Sequence, residues 1–417
     1  MNRLDPHAKH AGFVPGGAKE HFVLPRGEDG APLLYFCGHS LGLQPLAVAS
    51  EIQGGLNAWG TLAVDGHFEG ARPWFSLGED LRPKLARLVG ASEDAVALHA
   101  SLTTNLHLLL TSFYRPHGRR TKLLIEHGAF PSDRFLAHSH VRARDLDPAE
   151  HVLEIRGEGS LGVPSTDEVI AAIDDAGETL ATVLLPGVSF STGTAYDLRR
   201  ISEAAHRVGA SVGFDLAHAA GNLALDLEGS GADFAAWCSY KYLNAGPGAI
   251  AGLFVHPRHT QGEPLIPRLE GWWGNRASTR FTPNTDFEPD AGASAWLLSN
   301  VPVFSALPLY ASLPIFDTYG MDAIAEAGKT LQRALREGLE RSGADVEILS
   351  DTRAHGAQLS IAVPGRAEAI QTALQQRGLV CDTRGPDVLR FGAVPLYTSL
   401  EDVARAVDLL TDTLRRG

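Results

Sequence analysis

Cysteine is scarce in these 417 residues: Cys37, Cys238 and Cys381 are the only three, odd in number and far apart. Neither a disulfide framework nor a CxxC metal site can be built from them, so no metal is expected and a reducing compartment fits. Long apolar runs are missing too. Nothing approaches the roughly 20 apolar residues of a membrane span, and Met1-Asn2-Arg3-Leu4-Asp5-Pro6-His7 has no signal-peptide core. A soluble, cytoplasmic protein with no membrane partner is expected. Nor is positive charge in excess: Lys+Arg 36 against Asp+Glu 49 gives a formal net charge of -13, which opposes binding to nucleic acid. Internal repeats and low-complexity tracts are also lacking.

What the chain does have is an ordinary globular composition, 44% hydrophobic and 20% charged, and a length that exceeds one hydrophobic core. Two domains are expected. Val96-Ala97-Leu98-His99, Lys122 to Glu126, Ala181 to Leu185, Ala210 to Asp215 and Asp233 to Cys238 read as short apolar strands closed by turn residues. Helical patterns lie between and after them, clearest at Leu198, Ile201, Ala205 and Val208. Alternation of this kind argues an α/β layer with largely parallel strands. Residues up to about Pro32 read as an irregular arm, Leu33 to Cys37 as a strand, and Val64 to Trp74 as a loop carrying His, Arg and aromatics. Past about Pro308 the texture changes. Ile324, Ala327, Leu331, Leu335 and Leu339 mark a long amphipathic helix, Leu359, Ile361 and Val363 alternate as a strand, and Leu389-Arg390-Phe391 is another. A closing helix carries Leu400, Val403, Val407, Leu410 and Leu414 on one stripe, which completes a smaller α+β domain.

Chemistry concentrates at strand exits. Lys241 stands between Tyr240 and Tyr242 where the strand ending at Cys238 gives way to glycine-rich turn. A lysine in that place either snorkels to water or is held for Schiff-base chemistry. Asp215 closes the Ala210 to Asp215 run 26 residues earlier, enough for two neighbouring strands to end side by side. A lysine and a carboxylate so placed suit pyridoxal phosphate, the amine holding the aldehyde and the carboxylate keeping the pyridine nitrogen protonated; a structural ion pair is the alternative. Thr103-Thr104 open a helix after the strand ending at His99, an anion site in outline, although ordinary N-capping explains Thr103 equally well.

Jointly, GHSLGLQP at 38 to 45, SLTTNLHLLL at 101 to 110, FPSD at 130 to 133, GFDLAHAAGN at 213 to 222, WCSYKYLNAGPG at 237 to 248 and RFGAVPLY at 390 to 397 closely resemble kynureninase. The resemblance runs in order from about residue 33 to the C-terminus. It implies an α/β fold of the fold-type I pyridoxal phosphate class: a large domain with a mostly parallel seven-stranded sheet and a small α+β C-terminal domain. The divisions it suggests are 1–45 for an N-terminal segment packing with the small domain, 46–307 for the large domain and 308–417 for the small one. A homodimer with active sites at the subunit interface is implied, as is hydrolysis of L-kynurenine to anthranilate and L-alanine in tryptophan breakdown.

Carried over residue by residue, Lys241 matches the lysine that anchors the cofactor and Asp215 the partner of its pyridine nitrogen. Phe130 matches the aromatic stacked on the ring. Leu102 and Thr103 match phosphate ligands, with Tyr240 and Trp272 completing that cup, Trp272 as a contribution of the other subunit. Asp133 and His218 match residues near the ring's other polar groups. Arg390 matches the binder of the substrate α-carboxylate, and Ser40, His67 and Asn300 match positions near the substrate's aromatic ring, Asn300 at the cofactor also. Tyr240 is the candidate for delivering a proton to the β-carbon. Two positions depart: Pro186 offers neither hydroxyl nor N–H where a serine contact is known in a relative, and Asn275 stands where histidine is common. The second leaves the choice between kynurenine and 3-hydroxykynurenine open.

A cysteine desulfurase or an aminotransferase is the nearest alternative. A desulfurase needs a mobile nucleophilic cysteine, and neither Cys37 nor Cys381 sits in a long Gly/Ser-rich loop. A cofactor-binding regulator would need an appended DNA-binding helix-turn-helix, which the sequence lacks, and its acidity points the same way.

Overall fold

The apolar runs fold as strands whose order in space builds the site. The computed structural model describes residues 13–159, 161–261, 266–283 and 286–416. Residues 1–12 of the expected N-terminal arm lie outside these. The first strand, β1 (Leu34–Tyr35), stands apart from the main sheet. That sheet contains β2 (Val96–His99), β3 (Lys122–Glu126), β4 (Val152–Ile155), β5 (Leu180–Pro186), β6 (Ser211–Asp215), β7 (Phe234–Trp237) and β8 (Ala251–Val255). Their spatial order is β2-β8-β7-β6-β5-β3-β4, and β8 alone runs against its neighbours. This is the mostly parallel seven-stranded sheet expected. Parallel strands deliver all their C-terminal ends to one edge, where open α/β sheets bind ligands.

Local sequence explains the close packing at that edge. β6 and β7 lie side by side with Asp215 opposite Ala236, and Gly213 is needed because a Cβ there would run into the Phe234 ring. The helix expected around Leu198 to Val208 spans Leu198–Arg207, starts at an Asp197 cap that accepts from the Arg200 amide, and buries Ile201 and Ala205. Such a cap contributes about 1 kcal/mol.

The C-terminal region carries a second sheet of β9 (Glu347–Ile348), β10 (Gln358–Ala362), β12 (Asp382–Arg384) and β13 (Val388–Gly392), antiparallel in the order β12-β13-β10-β9. β11 (Leu379–Val380) pairs in parallel with β1, so the N-terminal segment is stitched to this region. Gly16 and Ala18 add backbone bonds to Pro395 and Leu396. The helix Met321–Ser342 buries Ile324, Ala327, Leu331, Leu335 and Leu339, as its spacing predicts, and each large aliphatic contributes about 1.5–3 kcal/mol. The closing helix Leu400–Arg416 buries Val403, Val407 and Leu410, but Leu400, in the turn that follows Ser399, stays half-exposed.

Two readings need correcting. The segment Val64 to Trp74 is not a plain loop: short 3-10 turns cover Ala63–His67 and Trp74–Ser76, drawn together because Trp74 packs on Gly66, where a Cβ would lie 2.7 Å from the indole. The change of texture at Pro308 marks no element boundary. One helix, Val303–Tyr319, runs through it and packs on the helices Val48–Leu62 and Leu77–Val89.

Candidate active site

A cavity of about 170 Å³ opens at the C-terminal edge of the main sheet. The ends of β2, β3, β5, β6 and β7 contribute. After β2, a helix begins at Leu102; its cap residue Ser101 makes no side-chain cap bond, so the first-turn amides of Leu102 and Thr103 meet the cavity both residues line. Ala100 before it has φ +38°, a strained backbone that aims this turn. After β3 come Phe130 and Asp133; after β5, Phe190; after β6, His218; after β7, Tyr240 and Lys241. A helix start with free N–H groups and a hydroxyl is a phosphate cradle.

The cavity floor is crowded with acid. Asp215 and Asp133 are buried against each other, and burial first, then the Asp215 charge, pushes the Asp133 carboxyl well above its ordinary range. Burial raises the Asp215 carboxyl too, but the bond from the Ala217 amide (2.7 Å), the Lys241 charge and the Asp133 hydrogen bond all pull against that rise, so Asp133 is the protonated partner of the pair. Glu126, at the end of β3, is pushed up to about 7 by burial, against the hydrogen bond from the Tyr196 hydroxyl (2.7 Å). Three carboxyl groups face one lysine. That surplus suits a ring nitrogen that arrives with a proton.

Lys241 Nζ donates to His218 Nε2 at 3.1 Å and lies 5.8 Å from the centre of the Phe130 ring. Burial, then the charges of Lys241 and Arg390, hold His218 well below its ordinary pKa, so the ring is neutral. With Nε2 accepting, its Nδ1–H is buried without a partner among the described residues. Phe130 meets Phe190 edge to face at 5.3 Å. Burial raises the Tyr240 hydroxyl pKa, with Cys238 and Asp215 adding to the rise, which keeps that hydroxyl protonated. The residues fit pyridoxal phosphate: an anion cradle, an aromatic wall, a carboxylate, an amine and an unspent buried donor.

Eight sequence-predicted residues therefore meet here: Leu102, Thr103, Phe130, Asp133, Asp215, His218, Tyr240 and Lys241 all line one cavity. Ser40 and Arg390 lie behind Phe190. Arg390 is fully buried, and its Nη1 donates to the Phe190 carbonyl at 2.5 Å. It does not face an empty cleft as β13 alone suggests; Asp382, its register partner on β12, takes its Nε (2.8 Å) and Nη2 (2.5 Å). His67, Trp272 and Asn300 do not line the cavity of this chain. His67 instead packs on Phe75 (4.5 Å), and Phe75 and Trp272 share Phe281. Sequence reading missed Asp382, His39, Glu126 and Phe190. Glu126, an acid closing an apolar strand, and Phe190, an aromatic in the turn after one, left a signal.

Known proteins resemble this chain in shape and in sequence. An apo cysteine desulfurase from Thermococcus onnurineus NA1 superposes with a TM-score of 0.79 at 16% identity, covering 98% of this chain and all of that one. The cystine C-S lyase C-DES, in complex with cysteine persulfide, gives 0.75 at 19%, with 92% of this chain and 98% of that one. At such identities the likeness concerns the fold, which is that of the fold-type I pyridoxal phosphate enzymes. In sequence, residues 324–410 match the family model of the kynureninase C-terminal domain. Kynureninase from Myxococcus xanthus is 44% identical over 397 residues, covering 94% of this chain and 93% of the relative. The enzyme of Flavobacterium johnsoniae is 40% identical over 392 residues, 92% of each. At such identity over more than nine-tenths of both chains, the chain belongs to the kynureninase family.

Proposed function

We propose that the protein hydrolyses L-kynurenine to anthranilate and L-alanine with pyridoxal phosphate, and accepts 3-hydroxy-L-kynurenine as a second substrate. The observation that carries this reading is the meeting of Lys241 and Asp215 beside the helix start at Leu102, within a chain 44% identical to a kynureninase. When bound, pyridoxal phosphate supplies an electron sink for charge generated on the substrate's α- and β-carbons. The chain does the rest. The amides of Leu102 and Thr103 would hold the phosphate, Phe130 would face the ring, and Asp215 would keep its nitrogen protonated. Lys241 would hold the cofactor through its amine, and its Nζ, when free, would take the substrate's α-proton. Water adds to the γ-carbonyl, and Tyr240 delivers a proton to the β-carbon as the Cβ–Cγ bond breaks. Arg390 binds the α-carboxylate, with Ser40 beside it.

His67, Trp272 and Asn300 belong, in this reading, to the site of a second copy. Exposed aromatics beside two of them, Phe68 against His67 and Phe281 against Trp272, support a homodimer, since such surface is rarely left open on a monomer. The divisions 1–45, 46–307 and 308–417 are read as the N-terminal segment, the large domain and the small domain, with the helix Val303–Tyr319 bridging the last two. The enzyme works in the cytoplasm, in tryptophan breakdown through kynurenine, and so supplies anthranilate or, by way of its 3-hydroxy analogue, NAD biosynthesis.

Desulfurase chemistry is disfavoured by the thiols. Burial pushes Cys37 and Cys238 up to about 11 and Cys381 higher still, and none lines the cavity. Incubation with L-kynurenine, 3-hydroxykynurenine and L-cysteine decides between the readings. Anthranilate and alanine in equal amounts are expected; sulfane sulfur from cysteine, with kynurenine untouched, would overturn the proposal. Mixing Lys241→Ala with Trp272→Ala protein tests the shared site, because regained turnover requires one intact site assembled from two chains.

A further inference from the structure

Behind Phe190, one carboxylate collects more partners than any ion pair needs. Asp382 accepts from Arg390 Nε and Nη2, from His39 Nε2 at 3.1 Å and from the Ser40 hydroxyl, and Arg384 Nη1 stands 3.5 Å from it. His39 is held down to about 4 by burial and by the Arg390 charge, so it gives Asp382 a hydrogen bond from a neutral ring. Its own position depends on Gly392, where a Cβ would strike the imidazole. Cys37 lies near enough for a metal trio with His39 and Asp382, but the two guanidinium groups already crowd this carboxylate.

The fork geometry of Arg390 gives the cluster its meaning. A guanidinium has five N–H bonds in fixed directions. Asp382 takes the Nε/Nη2 edge. Among the described residues, the Nη1/Nη2 edge meets only neutral acceptors, the Phe190 carbonyl and the Ser40 oxygen at 3.1 Å. Phe190 lines the cavity. A carboxylate bonds a guanidinium about twice as strongly as a neutral acceptor does, so a ligand carboxylate can replace them without disturbing Asp382. Charge points the same way. Arg390 and Arg384 together outnumber Asp382 by one, and Arg384, half-exposed, lies 6.0 Å from the centre of the Phe190 ring.

Resting on the functional reading above, we propose that Asp382 is a positioning residue: by occupying one edge of the Arg390 fork it presents the other edge to the carboxylate of an α-amino-acid ligand. Asp382 touches neither ligand nor cofactor; it acts through Arg390 and Ser40.

The test uses the holoprotein and two probes read by the absorbance of the bound cofactor: L-alanine, which carries the carboxylate, and ethylamine, which does not. In Asp382→Asn the half-saturation for L-alanine and the KM for kynurenine should rise by about 10–100-fold, while kcat stays within about threefold and ethylamine binding is unchanged. Unchanged L-alanine affinity, or an equal loss for ethylamine, would overturn the proposal in favour of a purely structural pair. Should the Asn variant fail to fold, Asp382→Glu keeps the charge but displaces the fork, and the same selective loss is expected. A wild type that prefers L-alanine to ethylamine yet leaves kynurenine intact would sink the kynureninase reading and spare this one.

Discussion

The floor of the cavity and the cluster behind Phe190 lie on two sides of His218 and are built from opposite groups, carboxyls on one side and guanidinium groups on the other. On the floor, Glu126, Asp133 and Asp215 outnumber Lys241, and burial pushes all three carboxyls up. Behind Phe190, Arg390 and Arg384 outnumber Asp382. Burial would raise that carboxyl too, but hydrogen bonds from His39 and Arg390 pull it well below the usual range. The first region therefore suits a protonated heterocycle and the second a carboxylate, the two ends of one α-amino-acid adduct. His218, feeling Lys241, Arg390 and Arg384, stays neutral between them.

The largest effect expected comes from the floor. Lys241→Ala should lower kcat by about 1,000-fold or more, while the phosphate cradle still retains cofactor. Borohydride should fix the cofactor of the wild type to Lys241, and mass mapping to any other lysine would remove the assignment. Next, Asp215→Asn should cost about 100–1,000-fold in kcat, more than it costs in cofactor affinity, since an amide cannot hold the ring nitrogen protonated. Near wild-type turnover would make Asp215 merely structural.

The pH dependence of stability sharpens the contrast. Glu126 has a folded pKa raised from 4.5 to about 7, so its contribution is fully present below pH 4.5 and is lost as pH rises toward 7. At about 1.4 kcal/mol per unit this is roughly 3 kcal/mol. Asp382, depressed, works in the other direction: its contribution is present above the ordinary carboxyl range and is lost on acidification. Urea unfolding of the cofactor-free protein at pH 5 and 7.5 should show a loss of stability on going up that Glu126→Gln reduces. Identical slopes in both proteins would mean that the floor acids ionise without penalty.

The smallest effect concerns Arg390→Lys. Lysine cannot reproduce the fork, and kcat/KM for kynurenine should fall by about 2 kcal/mol, with decarboxykynurenine nearly indifferent. Because Arg390 is bonded to Asp382 without any ligand, the melting temperature should fall as well. Equal losses for the two substrates would confine Arg390 to the ion pair.

The floor was legible because its parts are local in sequence. Each functional residue follows a short apolar run, and the parallel sheet carries the ends of such runs to one edge whatever the helices between them contain. Lys241, Asp215, Phe130 and Thr103 needed only that rule. Glu126 obeyed it too, but one acid closing a strand reads like any solvated terminus until burial is known.

The cluster behind Phe190 could not be read that way. Asp382 and Arg390 are opposite each other only through the antiparallel register of β12 and β13, and His39 and Ser40 reach them from a turn more than 340 residues earlier. By itself the sequence determined the strands, the amphipathic helices and the motifs at strand exits, because periodicity and turn chemistry act over a few residues. The tertiary structure alone decided which carboxyl keeps a proton, which edge of the Arg390 fork is taken, and that His67 and Trp272 stand outside this chain's cavity. Desolvation and pairing depend on neighbours that the order of residues does not name.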